Sequence, residues 1–492
     1  MPVLTLVHNG ISRRIPFSGE QPLHRVLRSA GVMTDHPCGG KGRCGKCAVT
    51  LEGCVSEPNE AELAAGTRLS CQAVLLGDAT VWLPDTASLE QIELGSSAAA
   101  VAPVAGRYGA AVDIGTTTIA LSLCRLSDGA ILASCGCENP QRTIAADVIG
   151  RMEAAMSGNL PGLQEMVLSA IQGLLTKACR SAKIPEEQVD ALVITGNTTM
   201  LYLLTGRDPE PLSHAPFRAD CLFGFETTIL GKPAYLPPCM DAFVGADITC
   251  AVLASGITER TDTALLCDIG TNGEIALWKD KKLSVTSTAA GPAFEGAGIS
   301  CGCGSVRGAI DRVWLENGEV RSHTIGEIPP VGLCGSGLID GICVFLKTGD
   351  IDETGAVEAD ALPLSGNIQL LPKDIRAVQL AKAAIAAGIQ TVLETTGTAE
   401  SEVADFIICG GFGSHLNLES AAAIGLIPEA LAGKAQVAGN AALSGALRLL
   451  LDVNSRKLAE RIAAAAVQLN LGGNPLFNEN YIEQMFFPEE VI

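Results

Sequence analysis

Apolar and polar positions alternate from the start of the chain. Val3-Leu4-Thr5-Leu6-Val7-His8-Asn9-Gly10-Ile11 predicts a strand running into an Asn-Gly hairpin turn, and nothing in it reads as the apolar core of a signal peptide. Leu23-His24-Arg25-Val26-Leu27 predicts a short helix, and Cys47-Ala48-Val49-Thr50-Leu51 a returning strand. Cys71-Gln72-Ala73-Val74-Leu75 and Thr80-Val81-Trp82-Leu83 predict two closing strands. Residues 86–106, with Ser96-Ser97-Ala98-Ala99-Ala100-Val101-Ala102-Pro103, have the composition of a flexible linker. Beyond residue 107 strands and helical stretches alternate to the end, which predicts α/β architecture.

That second part contains an internal echo. Ala111-Val112-Asp113-Ile114-Gly115-Thr116-Thr117-Thr118-Ile119 returns 155 residues later as Leu266-Cys267-Asp268-Ile269-Gly270-Thr271-Asn272-Gly273-Glu274-Ile275. Each copy is an apolar strand, Asp-Ile-Gly-Thr, a polar turn and a second apolar strand. A duplicated unit implies two halves and a cleft. The expected domains are therefore 1–85, a linker at 86–106, and two halves at 107–260 and 261–492.

Charge separates the same parts. The 492 residues carry a net charge of −20, which argues against nucleic acid as a partner. Residues 1–85 hold eight basic and eight acidic side chains, so the acidic excess lies entirely beyond them. Apolar residues make up 47% of the chain, enough for sizeable cores, yet no apolar run reaches membrane-spanning length without polar interruption. Eighteen cysteines scattered through apolar runs, such as Cys124, Cys250, Cys267 and Cys409, predict reduced buried thiols and a cytoplasmic location.

Four of those cysteines are different. Cys38, Cys44 and Cys47 follow the spacing C-x₅-C-x₂-C within Cys38-Gly39-Gly40-Lys41-Gly42-Arg43-Cys44-Gly45-Lys46-Cys47. Glycines let such a loop bend around inorganic sulfide and turn N–H groups toward it. A zinc ribbon would need a second C-x₂-C pair, and the chain has none. A distant fourth ligand is required: Cys71, in Arg68-Leu69-Ser70-Cys71-Gln72, is preferred over the nearer Cys54. The spacing and this context resemble the adrenodoxin-type branch of [2Fe–2S] ferredoxins, which implies an α+β, β-grasp domain.

The paired Asp-Ile-Gly-Thr hairpins supply two carboxylates for a hydrated Mg²⁺ and two turns to clamp phosphates. Phe406-Ile407-Ile408-Cys409-Gly410-Gly411-Phe412-Gly413-Ser414 adds a buried strand ending in glycines, against which a base or ribose can lie. This order resembles the acetokinase, sugar kinase, heat-shock chaperone and actin superfamily. The resemblance implies a duplicated ribonuclease H-like, actin-like ATPase fold binding ATP. Asp113 and Asp268 would then face the metal. Gly115, Thr116, Thr117, Thr118, Gly270, Thr271, Asn272 and Gly273 would face the phosphates, and Gly410, Gly411 and Gly413 the adenosine. Gly335, Ser336 and Gly337, in Gly332-Leu333-Cys334-Gly335-Ser336-Gly337, are a further candidate nucleotide loop at a helix start, the bland reading being a helix-entry turn. Thr195-Gly196-Asn197 and Gly245-Ala246-Asp247 are either cleft-lining or caps and turns. Asn440-Ala441-Ala442-Leu443-Ser444-Gly445 reads as tight helix packing, and Cys301-Gly302-Cys303 lacks partners for a second cluster.

A [2Fe–2S] domain joined to such an ATPase resembles the reductive activators of corrinoid enzymes. Asn139-Pro140-Gln141, Ala146-Asp147-Val148-Ile149, Gly291-Pro292-Ala293-Phe294-Glu295-Gly296 and Met485-Phe486-Phe487-Pro488 carry the likeness along the chain. It implies ATP-dependent return of Co(II) to Co(I) in the corrinoid protein of a methyltransferase system. An upstream low-potential reductant, a soluble protein without membrane partner, and room for a homodimer complete that expectation. Longer members carry a middle domain, for which residues 86–106 are too short. Three other readings are an activator of acyl-CoA dehydratases or reductases, a small-molecule kinase with a redox-sensing ferredoxin domain, and an electron carrier on a vestigial ATPase scaffold.

Overall fold

A computed structural model of the chain describes residues 1–8, 11–30, 32, 42, 47–83, 100–410 and 416–489. The chain divides into two compact units: Met1–Ser88 with Pro140–Met166, and Leu89–Asn139 with Val167–Ile492.

In the first unit, β1 (Val3–His8) and β2 (Ile11–Pro16) pair antiparallel with His8 opposite Ile11, the register of a two-residue hairpin. β3 (Gln21–Pro22), β4 (Ala48–Val55), β5 (Arg68–Leu69) and β6 (Val74–Trp82) complete a sheet ordered β2-β1-β6-β4-β5, with β3 against β6. β1 and β6 run parallel at its centre. Leu4, Leu6, Val49, Leu51, Leu75 and Val81 point to one face and bury it against Leu23, Val26 and Leu27 of the helix Leu23–Ser29. This is the β-grasp arrangement of ferredoxins. The two expected closing strands are one strand, β6, and Cys71 sits in the turn before it rather than at its start. Gly77-Asp78 reads as a break, but it passes opposite a register shift between Gly53 and Val55, so a bulge absorbs it.

The same unit holds the helix Val148–Ala154, capped by Asp147, whose Oδ1 accepts from Gly150 N–H at 2.8 Å. Its buried Arg151 donates to the Ala145 carbonyl at 3.0 Å and to Gln141 Oε1 at 3.3 Å.

The second unit shows the duplication. β7 (Tyr108–Ile114), β8 (Thr118–Arg125) and β9 (Ile131–Glu138) form an antiparallel meander, and β10 (Val189–Gly196) joins β7 in parallel. β11 (Phe225–Ile229) and β12 (Lys232–Leu236) extend the sheet to the order β11-β12-β10-β7-β8-β9. β13 (Thr263–Ile269), β14 (Gly273–Lys279) and β15 (Lys282–Thr288) repeat the meander. β16 (Ala309–Glu316), β17 (Glu319–Thr324) and β18 (Gly332–Leu333) form a small sheet, and β19 (Leu362–Ser365) and β20 (Ile368–Leu370) a hairpin. β21 (Val403–Cys409) then joins β13 in parallel, as β10 joins β7, and β22 (Ala435–Gly439) and β23 (Ala466–Gln468) close the order β22-β21-β13-β14-β15-β23. The central strands are near-continuous apolar runs because both faces are covered.

Two helices, Ala246–Ser255 and Ala441–Leu451, share an apolar core with residues of both sheets, including Ala111, Val193, Leu266 and Ile407. A Cβ on Gly445 would come within 2.1 Å of the Cys250 carbonyl oxygen, so the two helices meet in backbone contact. Residues 101–104, inside the stretch expected as flexible linker, are fixed. Val101 and Ala102 N–H donate to the Leu451 carbonyl at 3.1 and 3.2 Å, and Val104 N–H to that of Leu450 at 2.9 Å. Small residues gave this segment linker composition, but the open carbonyls at a helix C-terminus offer its N–H groups acceptors. Among the described residues no helix is long and apolar enough to cross a membrane.

Candidate functional site

In the β-grasp unit the strand pairing Ala48↔Leu69 sets Cys47 beside Cys71. Ser70 N–H donates to the Cys47 carbonyl at 2.8 Å, and the two Sγ atoms lie 3.2 Å apart. Buried Glu62 fixes the approach: it accepts from Arg68 Nε and Leu69 N–H, both at 2.9 Å, and from Asn59 N–H at 3.1 Å. Gln72 Nε2 donates to Cys71 Sγ at 3.5 Å. The thiol hydrogen bond from Cys47 draws Cys71 down to about 6 and raises Cys47. Two sulfurs this close suit the donor set of an iron–sulfur centre, which takes both as thiolates. Cys54 is exposed and stands seven residues along β4 from Cys47, on the order of 20 Å away at strand rise. Cys38 and Cys44 lie outside the described residues.

In the second unit, β7 and β13 each carry an aspartate, Asp113 and Asp268, as their last residue but one, and the two turns that follow meet. Gly115 N–H closes the first hairpin onto Thr118 O and Gly270 N–H the second onto Asn272 O, both at 2.9 Å. Thr117 Oγ1 and Thr271 Oγ1, 154 residues apart in sequence, stand 3.4 Å from each other. Both hydroxyls donate to Glu295, Thr271 at 2.9 and 3.0 Å to its two oxygens. Asp113, Gly115, Thr116, Thr117, Thr118, Asp268, Gly270, Thr271, Asn272 and Gly410 line one cleft.

Some candidates lie elsewhere. Gly273 is packed against Thr288 and Ile385. Ser336 Oγ donates to the Asp311 carbonyl at 2.8 Å, and Gly337 abuts the Ile310 carbonyl, so of the loop 335–337 only Gly335 reaches the cleft. Gly411 and Gly413 lie outside the described residues.

The cleft also gathers residues whose sequence context leaves them open between lining and capping, or reads as packing. Asn440 caps the helix Ala441–Leu451 and turns its Nδ2 to Asp113 Oδ2 at 2.9 Å, so the segment both packs and reaches the site. Asn197 Nδ2 donates to Thr116 Oγ1 at 3.2 Å. Asp247, Glu274 and Glu295 add three carboxylates to Asp113 and Asp268. Glycines flanking Glu295 and the Glu directly after Thr-Asn-Gly were the available signals.

Burial raises the pKa of Asp113 to about 6, against the opposing Asn440 amide. Burial and then the Asp113 charge raise Asp268 to about 7. Burial, followed by the charges of Asp113 and Asp268, raises Asp247 to about 8; burial, followed by the charges of Asp247 and Asp268, pushes Glu274 well up. Buried carboxylates that mutually repel are a donor set that a divalent cation relieves. Among the described residues no three His, Cys, Asp or Glu side chains converge enough to ligate one ion directly, so a cation here would be held through its water shell.

Gly410 shows how close the third motif comes. Its φ is +111°, and an added Cβ would lie 2.3 Å from Ile269 O and 2.9 Å from Asp268 Oδ1. Gly410→Ala is expected to cost about 1–3 kcal/mol in backbone strain. It should also weaken binding of a non-hydrolysable ATP analogue at least about tenfold, as read by calorimetry.

Residues 6–76 match the 2Fe-2S iron-sulfur cluster binding domain, residues 108–260 the RACo middle region, and residues 262–492 the C-terminal, ASKHA domain of RACo. The corrinoid activation enzyme RamQ of Eubacterium limosum is 32% identical over 423 residues, covering 78% of this chain and 71% of that protein. The chain belongs to the RACo family of reductive activators of corrinoid proteins. Another member, the [Co(II) methylated amine-specific corrinoid protein] reductase of Methanosarcina barkeri, is 24% identical over 427 residues, 77% of each chain. A solved structure of a reductive activator for corrinoid, iron-sulfur protein superposes with a TM-score of 0.73 at 26% identity, covering 99% of this chain and 98% of that one. The family's middle region thus falls on residues 108–260, the first of the two repeated sheets. It is not absent, as the short linker had suggested.

Proposed function

We propose that this chain is an ATP-dependent reductive activator that returns the cobalt of a corrinoid protein from Co(II) to Co(I). The observation that carries the reading is the coexistence of the Cys47–Cys71 pair on a β-grasp unit with two facing phosphate-type hairpins in one chain. Residues 1–85 would be the electron-carrying domain, and 107–260 and 261–492 the two halves of the ATPase.

Cys38, Cys44, Cys47 and Cys71 would hold the [2Fe–2S] cluster. When bound, the cluster supplies the one-electron carrier from which cobalt is reduced. Having its ligands on one chain disfavours the cluster of the acyl-CoA dehydratase activators, which a dimer shares. In the cleft, the backbone N–H groups of Thr116, Thr117, Thr271 and Asn272 and the hydroxyl of Thr116 offer donors to the β- and γ-phosphates from both sides. Asp113 and Asp268 would hold the waters of a Mg²⁺ ion, with Asp247 and Glu274 behind them. Gly410 leaves flat backbone for the adenosine.

The need for ATP is energetic. Co(I) forms at a potential below that of a plant-type [2Fe–2S] centre, roughly −400 mV. A nucleotide bound by both hairpins binds better to their closed arrangement than to any other, which is the differential affinity a conformational drive requires. An upstream low-potential reductant must recharge the donor, and a reducing cytoplasm suits the many unpaired thiols.

The test uses the full chain with reconstituted cluster, a corrinoid protein poised in Co(II), and excess low-potential reductant. Visible absorbance should show Co(I) accumulating with MgATP and not without it. Equal Co(I) formation without nucleotide would overturn the coupling. ATP consumption matched by phosphorylation of a sugar or carboxylate would replace the reading with a kinase.

A further inference from the structure

We propose that Glu295 is the general base of ATP hydrolysis in this chain, orienting the attacking water and accepting its proton. The inference deepens the reading of the cleft as an ATPase and rests on it.

The five carboxylates lining the cleft fall into two sets. Glu274 is buried and Asp113, Asp247 and Asp268 are half-buried; all four lie at the ends of the strands or against them, and they repel one another. Glu295, also half-buried and near enough for its charge to help raise Asp268, differs in its position: it lies on a short 3₁₀ turn Pro292–Glu295 outside both central sheets. Two glycines shape that turn: Gly291 at φ +79° and Gly296 at φ +78°. Gly291 N–H donates to the Thr271 carbonyl at 2.8 Å, so the turn is tied directly to the second hairpin.

The carboxylate therefore occupies the gap between the two hairpin tips. It accepts from Thr117 of the first half and from both approaches of Thr271 of the second. A nucleotide gripped by both hairpins brings its terminal phosphate to this gap. A carboxylate placed there repels that phosphate, so it does not aid binding. A carboxylate of that position is instead suited to a neutral nucleophile: it accepts a hydrogen bond from a water and aims the oxygen lone pair at phosphorus. Thr117 and Thr271, by donating to it, hold its orientation.

The step balances without a further reactant. The water oxygen forms a bond to the γ-phosphorus, and the bond from that phosphorus to the β,γ-bridging oxygen breaks. ADP leaves with the electron pair. The water's proton passes to a Glu295 oxygen and then to solvent, leaving inorganic phosphate.

The test compares wild type, Glu295→Gln and Glu295→Asp in the full, cluster-loaded chain, with melting temperature recorded for each. Gln keeps an oxygen that accepts from the threonines but cannot take the proton. Glu295→Gln is expected to bind ATP within about threefold of wild type or more tightly, while kcat falls on the order of 10²–10⁴-fold. Glu295→Asp, with the base shortened, should recover part of that loss. Hydrolysis by Glu295→Gln at the wild-type rate would overturn the proposal. So would parallel loss of binding and hydrolysis in both variants, which marks a residue that only holds the hairpins together. Failure of the underlying reading is distinct, since wild type itself would then release no inorganic phosphate from ATP.

Discussion

Cys71→Ser is expected to remove the visible absorbance and electron-paramagnetic signal of the reduced centre and to abolish Co(II)-to-Co(I) reduction. Cys54→Ser should leave both intact. The distinction is geometric. Cys71 Sγ stands 3.2 Å from Cys47 Sγ, a separation at which one iron can bind both sulfurs after small adjustment. Cys54 stands near the far end of β4, which begins directly after Cys47, and cannot approach Cys47 without dismantling β4, whose pairing with β6 is central to the sheet. Serine retains the size of cysteine but binds iron weakly, so the effect is on the cluster and not on packing. The two variants are read by spectra first and cobalt reduction second. A full-intensity cluster in Cys71→Ser with loss of signal in Cys54→Ser would reverse the ligand assignment. ATP hydrolysis, which the second unit carries, should change little in either.

What the sequence disclosed follows from how local each signal is. The C-x₅-C-x₂-C loop is legible because three thiols in ten residues have few other uses. The duplication is legible because each copy fits within a strand, a turn and a strand. The closing strand of the first unit was misread as two because Gly77-Asp78 has turn chemistry, and only the bulge opposite, near Gly53, shows that it is spanned. The cleft's far side was illegible for a different reason. Asn440 meets Asp113 across 327 residues, and Glu295 meets Thr117 across 178. Those meetings depend on how the two sheets are brought together by the helices Ala246–Ser255 and Ala441–Leu451, which no local pattern specifies. Asn197 and Asp247 are open in the sequence between lining and capping, and Asn440 reads as packing, because each is at a helix start. Capping and lining are compatible: the strand ends and helix starts of an α/β sheet open on the same edge, where ligands bind.

The crowding of carboxylates in that edge yields a prediction about stability. In the nucleotide- and metal-free protein, unfolding of the second unit should become easier as pH rises from about 5.5 to 8.5. The sign follows from proton uptake. Asp113, Asp268 and Asp247 ionise from 3.8 upward when unfolded, but only near 6, 7 and 8 when folded. Across that interval the folded state binds more protons than the unfolded one, and stability falls with pH. Below about pH 4 the effect is absent, because both states are protonated; above about pH 8 it is complete. The melting temperature should drop by several degrees, at about 2–4 °C per kcal/mol for a unit of this size. Two controls separate this from the repulsion of a chain carrying −20 charges. Asp247→Asn keeps an oxygen for the Ile248 N–H, now 2.9 Å from Asp247 Oδ1, yet removes the highest of the three titrations, so its pH slope should be shallower. Mg²⁺ at constant ionic strength should raise the melting temperature of wild type most at pH 8.5 and least at pH 5.5, since it binds the ionised carboxylates. A wild-type melting temperature that rises over this range, or an Asp247→Asn slope equal to that of wild type, would show that these groups are ionised in the free protein at all pH values tested.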